Sequence, residues 1–151
     1  MSQSKRLQVV QRAADARERD RARALAASER RVAESNEKLT ELKGYQANYE
    51  NEFARTAGQG IAGARLRDFQ TFMARLAEAI RQQIQVVSRT AAERDAARSS
   101  WRVAAQRAQM VGRIIARRLQ DERKESDRKE QRESDERAQL SRGRNEHAPK
   151  L

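Results

Sequence analysis

The chain has 151 residues, of which 36% are charged and 37% are hydrophobic, and only 4% are aromatic. This composition excludes a globular domain with a thick core and leaves either disorder or a thin helical assembly. A single proline, Pro149, and six glycines favour the helical assembly, because disordered chains are usually rich in both residue types. The absence of cysteine and of a long apolar segment predicts a cytoplasmic protein without disulfides or a membrane span.

The positive charge is concentrated in one part of the chain. The net charge is +11, and residues 81–118 contain nine arginines but only two acidic residues, Glu93 and Asp95. Such a stretch suits an acidic protein surface or a phosphate backbone. An equally weighted interpretation is a solvated helix face that only improves solubility.

The first element is a predicted helix over residues 1–56. Its apolar residues recur at alternating steps of three and four, which indicates the seam of a coiled coil. Polar residues such as Glu18 and Ser35 fill the intervening places, so the seam is imperfect. The apolar seam residues of this helix are Leu7, Ala14, Leu25, Val32, Leu39, Leu42, Tyr49 and Phe53.

Residues 57–64 are predicted to form a turn. They contain three of the six glycines in the chain, Gly58, Gly60 and Gly63. Glycine opposes helix continuation by roughly 1 kcal/mol per residue, and it fits the left-handed conformation that ends many helices. No proline interrupts the helical pattern on either side until Pro149.

The second predicted helix covers residues 65–120. Two consecutive steps of four, from Leu76 to Ile80 to Ile84, predict a stutter that locally unwinds the supercoil. The seam of this helix comprises Leu66, Phe69, Met73, Leu76, Ile80, Ile84, Val87 and Ala91, passes Arg94 and Arg98, and resumes at Trp101, Ala105, Ala108, Gly112, Ile115 and Leu119.

A tight turn near residue 60 makes the two helices antiparallel, so residues equally distant from the turn face each other. Phe53 is then expected to meet residues 67–69. Glu18 lies opposite Arg98 and Arg102, and an ion pair with either arginine would help to fix the register. Alternatively, these long side chains extend independently into solvent.

The C-terminal part of the chain is predicted to lack a pairing partner. Between Arg117 and Arg137 there are eight basic and eight acidic residues, which suits a solvated helix. Residues 121–142 are therefore expected to form a charged single-helix extension, and residues 143–151 a disordered tail. The predicted fold class is all-α, a long two-helix antiparallel coiled-coil hairpin with a C-terminal single-helix overhang.

No group of residues indicates catalysis, a metal site or a cofactor. The only histidine, His147, lies in the predicted disordered tail. The glycine-rich segment 58–63 lacks the Lys and Ser or Thr that complete a phosphate-binding loop, and no strand precedes it. Asp135 and Glu136 lie on a solvated helix. We therefore expect a non-enzymatic protein with no cofactor.

Aromatic residues near the turn form a candidate binding patch. Tyr45 and Phe72 lie off the predicted seam but close to it. Aromatic side chains on an otherwise charged surface are typical of interaction sites. Alternatively, Phe72 widens the core where the stutter loosens it. The candidate patch comprises Tyr45, Tyr49, Phe72, Leu76, Ala79 and Gln83.

An ordered set of short motifs extends through this region. The motifs are Tyr45-Gln46, Tyr49, Gly60-Ile61-Ala62, Phe69-Gln70, Phe72, Leu76, Ala79-Ile80, Ser100-Trp101-Arg102 and, near the end, Asp135-Glu136. In their order, and in chain length, they resemble the FliJ family of flagellar export proteins. The first 40 residues and residues 103–134 match only in character. At Gln83 the sequence departs from relatives in which an imidazole occurs, so no proton-dependent role is assigned there.

The resemblance implies a coiled coil similar to the central stalk of rotary ATPases. It also implies three partners: the hexameric flagellar export ATPase, the cytoplasmic domain of the membrane export gate, and the escort chaperones of late substrates. The expected location is the cytoplasm, peripherally at the inner membrane below the flagellum, with no specific nucleic-acid ligand. On this basis the aromatic patch is the candidate gate-binding site, and the candidate ATPase-binding residues are Arg17, Arg21, Arg98, Arg102, Arg113, Arg117 and Arg118.

Two rival functions are compatible with the sequence. A nucleic-acid-binding coiled coil would use the arginines of residues 81–118, and its binding to random DNA would have to survive physiological salt. A structural spacer would rely on its length and on self-association, which the oligomeric state in solution tests.

Because the seam is used within the chain, we predict a monomer. Small-angle X-ray scattering should give a maximum dimension of about 75 Å or more, since each helical residue adds ~1.5 Å along a paired section of about 50 residues. A compact, nearly spherical scattering profile would contradict the coiled-coil interpretation.

Overall fold

The computed structural model describes residues 3–146, and this part of the protein is all-α. Helix α1 spans Gln3–Ala57 and helix α2 spans Gly63–Glu146. The two helices pack against each other, and residues 3–146 contain no strand. This confirms the predicted all-α helical hairpin. Neither helix has an apolar window long enough to cross a membrane.

The chain divides into two compact units, a division that the sequence did not indicate. One unit, Arg17–Ala105, contains the connection between the helices and is called the turn unit. The other combines Met1–Ala16 with Gln106–Leu151 and is called the terminal unit.

The connection in the turn unit depends on one glycine. The backbone N–H of Gln59 donates to the carbonyl of Thr56 at 3.0 Å, and that of Gly60 donates to the carbonyl of Ala57 at 3.3 Å. Gly60 has a φ of 86°, a left-handed conformation that costs other L-residues about 1–2 kcal/mol. Gly60 is the one residue within 3–146 with a positive φ. Of the three glycines in the predicted turn, only this one is required by backbone geometry.

Contacts between the helices of the turn unit join residues at similar distances from the turn, as antiparallel pairing requires. They include Phe53 with Phe69, Ser35 with Thr90, and Glu18 with Trp101. The Phe53 and Phe69 rings stack with their centroids 4.0 Å apart and their planes 8° apart. The predicted meeting of Phe53 with residues 67–69 is therefore confirmed.

The predicted stutter at Ile84 is wrong. Ile84 is 44% exposed, whereas Gln83 is only 6% exposed and follows the buried Ile80 by a step of three. The side-chain amide of Gln83 donates from Nε2 to the main-chain oxygen of Ser35 at 2.9 Å, and the small Ser35 side chain leaves room for it. The regular alternation of steps then continues through Val87, Thr90, Arg94, Ala97, Trp101 and Ala104, all buried or half-buried.

The terminal unit has its own small core. Ala14 is buried in it, and Gln11 approaches Gly112 so closely that a Cβ there would lie 3.4 Å from Gln11 Oε1. The side chain of Gln11 also donates from Nε2 to Asp15 Oδ1 at 2.8 Å. The core of the unit therefore combines small residues, the half-buried Leu7, Val111 and Ile115, and one polar side chain that packs next to a glycine.

Helix α2 extends well beyond the part of it that pairs with helix α1. Every residue from 116 to 142 is exposed. The helix continues without a break through residues 120 and 121, where the predicted extension begins. It extends to Glu146, so residues 143–146 are helical, and the prediction that they are disordered is wrong. Residues 147–151, which include His147 and the rest of the predicted tail, lie outside the described residues.

The turn geometry predicts opposite effects for two glycine substitutions. Gly60→Ala should lower the free energy of unfolding by about 1–2 kcal/mol, because alanine disfavours the left-handed conformation. Gly63→Ala is the matched control. A Cβ at Gly63 meets no atom within 4 Å, and alanine there should raise stability by about 0.4–1 kcal/mol. Urea unfolding followed by circular dichroism measures both, and a shift of the same sign in the two variants would contradict this account.

Candidate functional site

Exposed aromatic residues lie beside the seam of the turn unit. The rings of Tyr49 and Phe72 meet edge to face, with centroids 4.8 Å apart and planes 68° apart. Tyr49 is 41% exposed, Phe72 is 42% exposed and Tyr45 is 54% exposed. The pairing across the two helices fixes the position of Phe72, while much of its surface stays accessible to a partner.

The remaining patch residues have different positions. Leu76 and Ala79 are half-buried and adjoin the aromatic residues along helix α2. Tyr45, Phe72 and Ala79 each directly precede a seam residue, and such positions on two antiparallel helices lie along the same side of the pair. The structure thus brings Tyr45, Tyr49, Phe72, Leu76 and Ala79 to one surface, which we call the aromatic patch.

Gln83 does not belong to this surface. Its side chain is buried in the seam and hydrogen-bonded to the main chain of Ser35, so only 6% of its surface is accessible to a partner. Close by, Ser35 Oγ and Thr90 Oγ1 lie 2.9 Å apart across the two helices. We call Ser35, Gln83 and Thr90 the polar layer. Its hydrogen bonds assign Gln83 to pairing of the helices, and the sequence-based proposal that it contacts the gate is withdrawn.

A groove adjoining the patch was missed by the sequence analysis. It has a volume of about 250 Å³ and lies at the turn end of the unit. Ile61 comes from the connection and Arg65 from the first turn of helix α2, so hydrophobic periodicity could not place them. The sequence signal that could have indicated this groove was the pairing of the two phenylalanines, because that pairing fixes how the helix ends meet. The groove is lined by Tyr49, Glu52, Phe53, Thr56, Ile61, Arg65 and Phe69.

The candidate arginines are distributed over both units. In the turn unit, Arg17, Arg21 and Arg102 are exposed and Arg98 is half-buried. In the terminal unit, Arg113, Arg117 and Arg118 are exposed. Within residues 3–146, the ion pairs are formed by other arginines: Arg23 with Asp20, Arg81 with Glu78, and Arg94 with Asp95. None of the candidate arginines therefore belongs to an ion pair observed within residues 3–146, although Asp121 and Glu122 follow Arg117 and Arg118 by about one helical turn.

Glu18 has a different partner from the one predicted. Its carboxylate accepts a hydrogen bond from the indole Nε1–H of Trp101 at 2.9 Å, and none of the ion pairs within residues 3–146 includes it. A half-buried tryptophan needs an acceptor for its N–H, whereas Arg98 and Arg102 can be hydrated. The indole therefore takes the place of the predicted guanidinium.

Within residues 3–146 no group of three or more acidic or imidazole side chains is arranged to hold a metal.

A double-mutant cycle tests the bond between Trp101 and Glu18. Trp101→Phe and Glu18→Ala should each lower the free energy of unfolding, with a coupling energy of about 0.5–1.5 kcal/mol, the usual net value of such a bond. Glu29, which is exposed, supplies the control. Trp101→Phe and Glu29→Ala should be additive. Urea unfolding measures all variants, and equal coupling in the two cycles would rule out a specific bond.

Comparison with known proteins identifies the family. A model of the family described as flagellar FliJ protein matches residues 3–147 of the 151-residue chain. Searches of curated proteins and of solved structures gave no match. The matched range includes both helices, the aromatic patch and the candidate arginines. The chain therefore belongs to the flagellar FliJ protein family, whose members are non-catalytic components of the flagellar type III export apparatus.

Proposed function

We propose that the chain acts as a stalk-like component that binds both the hexameric export ATPase and the cytoplasmic domain of the export gate. It would also act as a general export chaperone and bind the escort chaperones of late substrates, at the cytoplasmic face of the inner membrane below the flagellum. The observation that carries the proposal is the presence of two separate kinds of accessible chemistry. These are an aromatic patch in the turn unit and accessible arginines that form no ion pair within residues 3–146, three of which lie in the terminal unit.

The aromatic patch supports binding to the gate domain. Tyr49 and Phe72 hold each other in place, so little side-chain entropy is lost when a partner covers them. Aromatic residues of this kind are enriched among the few interface residues that contribute most of the binding free energy. Leu76 and Ala79 extend the apolar surface along helix α2. We therefore assign the gate domain to this patch.

The arginines support binding to the ATPase ring. Arg113, Arg117 and Arg118 are exposed on helix α2, and residues 106–120 contain no acidic side chain. A guanidinium without an internal partner favours association with a carboxylate-bearing surface and accelerates the encounter at low salt. Arg17, Arg21, Arg98 and Arg102 of the turn unit would contribute additional positive charge.

Phe72→Ala tests the gate-binding patch. It should weaken binding of the gate domain by about 2 kcal/mol, an amount that changes little with salt because the lost contact is apolar. Ile84→Ala is the matched control, since Ile84 is 44% exposed on the same helix but outside the patch. Calorimetric titration with the purified gate domain and with the ATPase measures both variants. Equal losses from Phe72→Ala and Ile84→Ala would argue against the patch.

Reversing Arg113, Arg117 and Arg118 to Glu should have the opposite specificity. ATPase binding should weaken, with most of the effect in the association rate and most of it lost at high salt. Binding to the gate domain should be unchanged. If this triple variant and Phe72→Ala impair both partners to the same degree, the two sites are not separate and the proposal is wrong.

A further inference from the structure

In the terminal unit the two helices leave an apolar strip beside their seam. Val10 is 50% exposed and directly precedes the half-buried Gln11, and Ile114 is 49% exposed and directly precedes the half-buried Ile115. Residues that precede such seam positions on two antiparallel helices lie along the same side of the pair. Val10 and Ile114 therefore border the same groove between the helices.

Met110 enlarges this strip on helix α2. It is 61% exposed and lies four residues, or about one helical turn, before Ile114, so the two side chains are neighbours on the helix surface. We call Val10, Met110 and Ile114 the terminal strip. Three aliphatic side chains at half exposure or near it, adjacent to one groove, form an apolar surface that these two helices do not cover.

The rim of the terminal strip is basic. Arg6 precedes Val10 by four residues on helix α1, and Arg107 precedes Met110 by three residues on helix α2. Each arginine therefore lies about one helical turn from its strip residue. Both arginines are exposed. Residues 106–120 contain four arginines and no acidic side chain, and Asp15 of helix α1 is engaged by Gln11 within the seam. A partner that covers the strip would thus meet positive charge at its edges.

We propose that the terminal strip is a docking site for an acidic amphipathic helix of a partner protein. A groove between two packed helices is the shape that a third helix fills, with its apolar face inward and its charged edges against the rim. Acidic side chains on those edges would complement the basic rim. The strip has no aromatic residue, whereas helices that insert into bilayer surfaces typically use Trp, Phe or Leu anchors, so a helix is favoured over a membrane. This site goes beyond the proposed ATPase and gate contacts, because none of Val10, Met110 and Ile114 belongs to either, although its rim shares Arg113, Arg117 and Arg118 with the proposed ATPase contact.

Two adjacent valines, Val10 and Val9, supply the test position and its matched control. Val9 is 57% exposed, similar to Val10, but is one residue further from the seam and lies away from the groove. The probe is a fluorescent synthetic peptide of three heptads, with Leu at the seam positions and Glu elsewhere, titrated with the full chain. Val10→Ser combined with Ile114→Ser should weaken binding by about tenfold or more, since apolar anchors dominate such contacts. Val9→Ser should change the affinity by no more than about twofold, and circular dichroism should show unchanged helicity in all variants.

Two further probes decide whether the partner is an acidic helix. A peptide with Lys in place of every Glu should bind at least about tenfold more weakly, because its charges repel the rim. Vesicles of phosphatidylglycerol should not capture the chain through Val10 and Ile114. The proposal is overturned if Val9→Ser weakens peptide binding as much as the double variant, if the double variant has no effect, or if the vesicles bind through the strip and the acidic peptide does not.

Discussion

The structure depends on the fact that two helices make only one seam. None of the side chains that the structure describes is fully buried, so hydrophobic burial alone discriminates poorly between one register and the next. Hydrogen bonds across the seam supply the missing discrimination. The bond from Gln83 to the main chain of Ser35 can form only when these two residues face each other. Displacing one helix along the other would leave a buried amide without a partner, which costs about 1–3 kcal/mol.

A thin core also explains where the two proposed partner surfaces lie. In a single-seam structure, the positions beside the seam are too exposed to be core and too close to it to be freely solvated. Phe72 and Tyr45 occupy such positions in the turn unit, and Val10 and Ile114 do so in the terminal unit. Apolar side chains at these places use only part of their surface in pairing of the helices, since they are about half accessible. A partner that covers them removes the remaining apolar area from water, which contributes about 25 cal/mol of binding free energy per Å².

The turn, the antiparallel pairing and the meeting of Phe53 with Phe69 could be predicted because glycine spacing and heptad periodicity are local signals. The seam around Gln83 could not, because hydrophobicity ranks Ile84 above a glutamine and does not reveal the carbonyl that the amide reaches. Charge matching likewise suggested an arginine for Glu18, whereas the indole of Trp101 requires an acceptor more strongly. In the candidate site, the exposed aromatic residues were found from the sequence. Ile61 and Arg65 of the adjoining groove were not, because the geometry of the turn brings them there.

The hydroxyl pair in the polar layer joins the helices in a different way from the neighbouring amide. Ser35 Oγ lies 2.9 Å from the carbonyl of Val32, Thr90 Oγ1 lies 3.0 Å from the carbonyl of Val87, and the two hydroxyl oxygens are 2.9 Å apart. These three contacts share only two protons, so one of them lacks a proton at any moment. Rotation about the two C–O bonds passes the vacancy from one contact to another without moving the backbone. The hydroxyl pair therefore joins the two helices by a hydrogen bond only part of the time, whereas the adjacent amide of Gln83 has its own proton for the bond to Ser35.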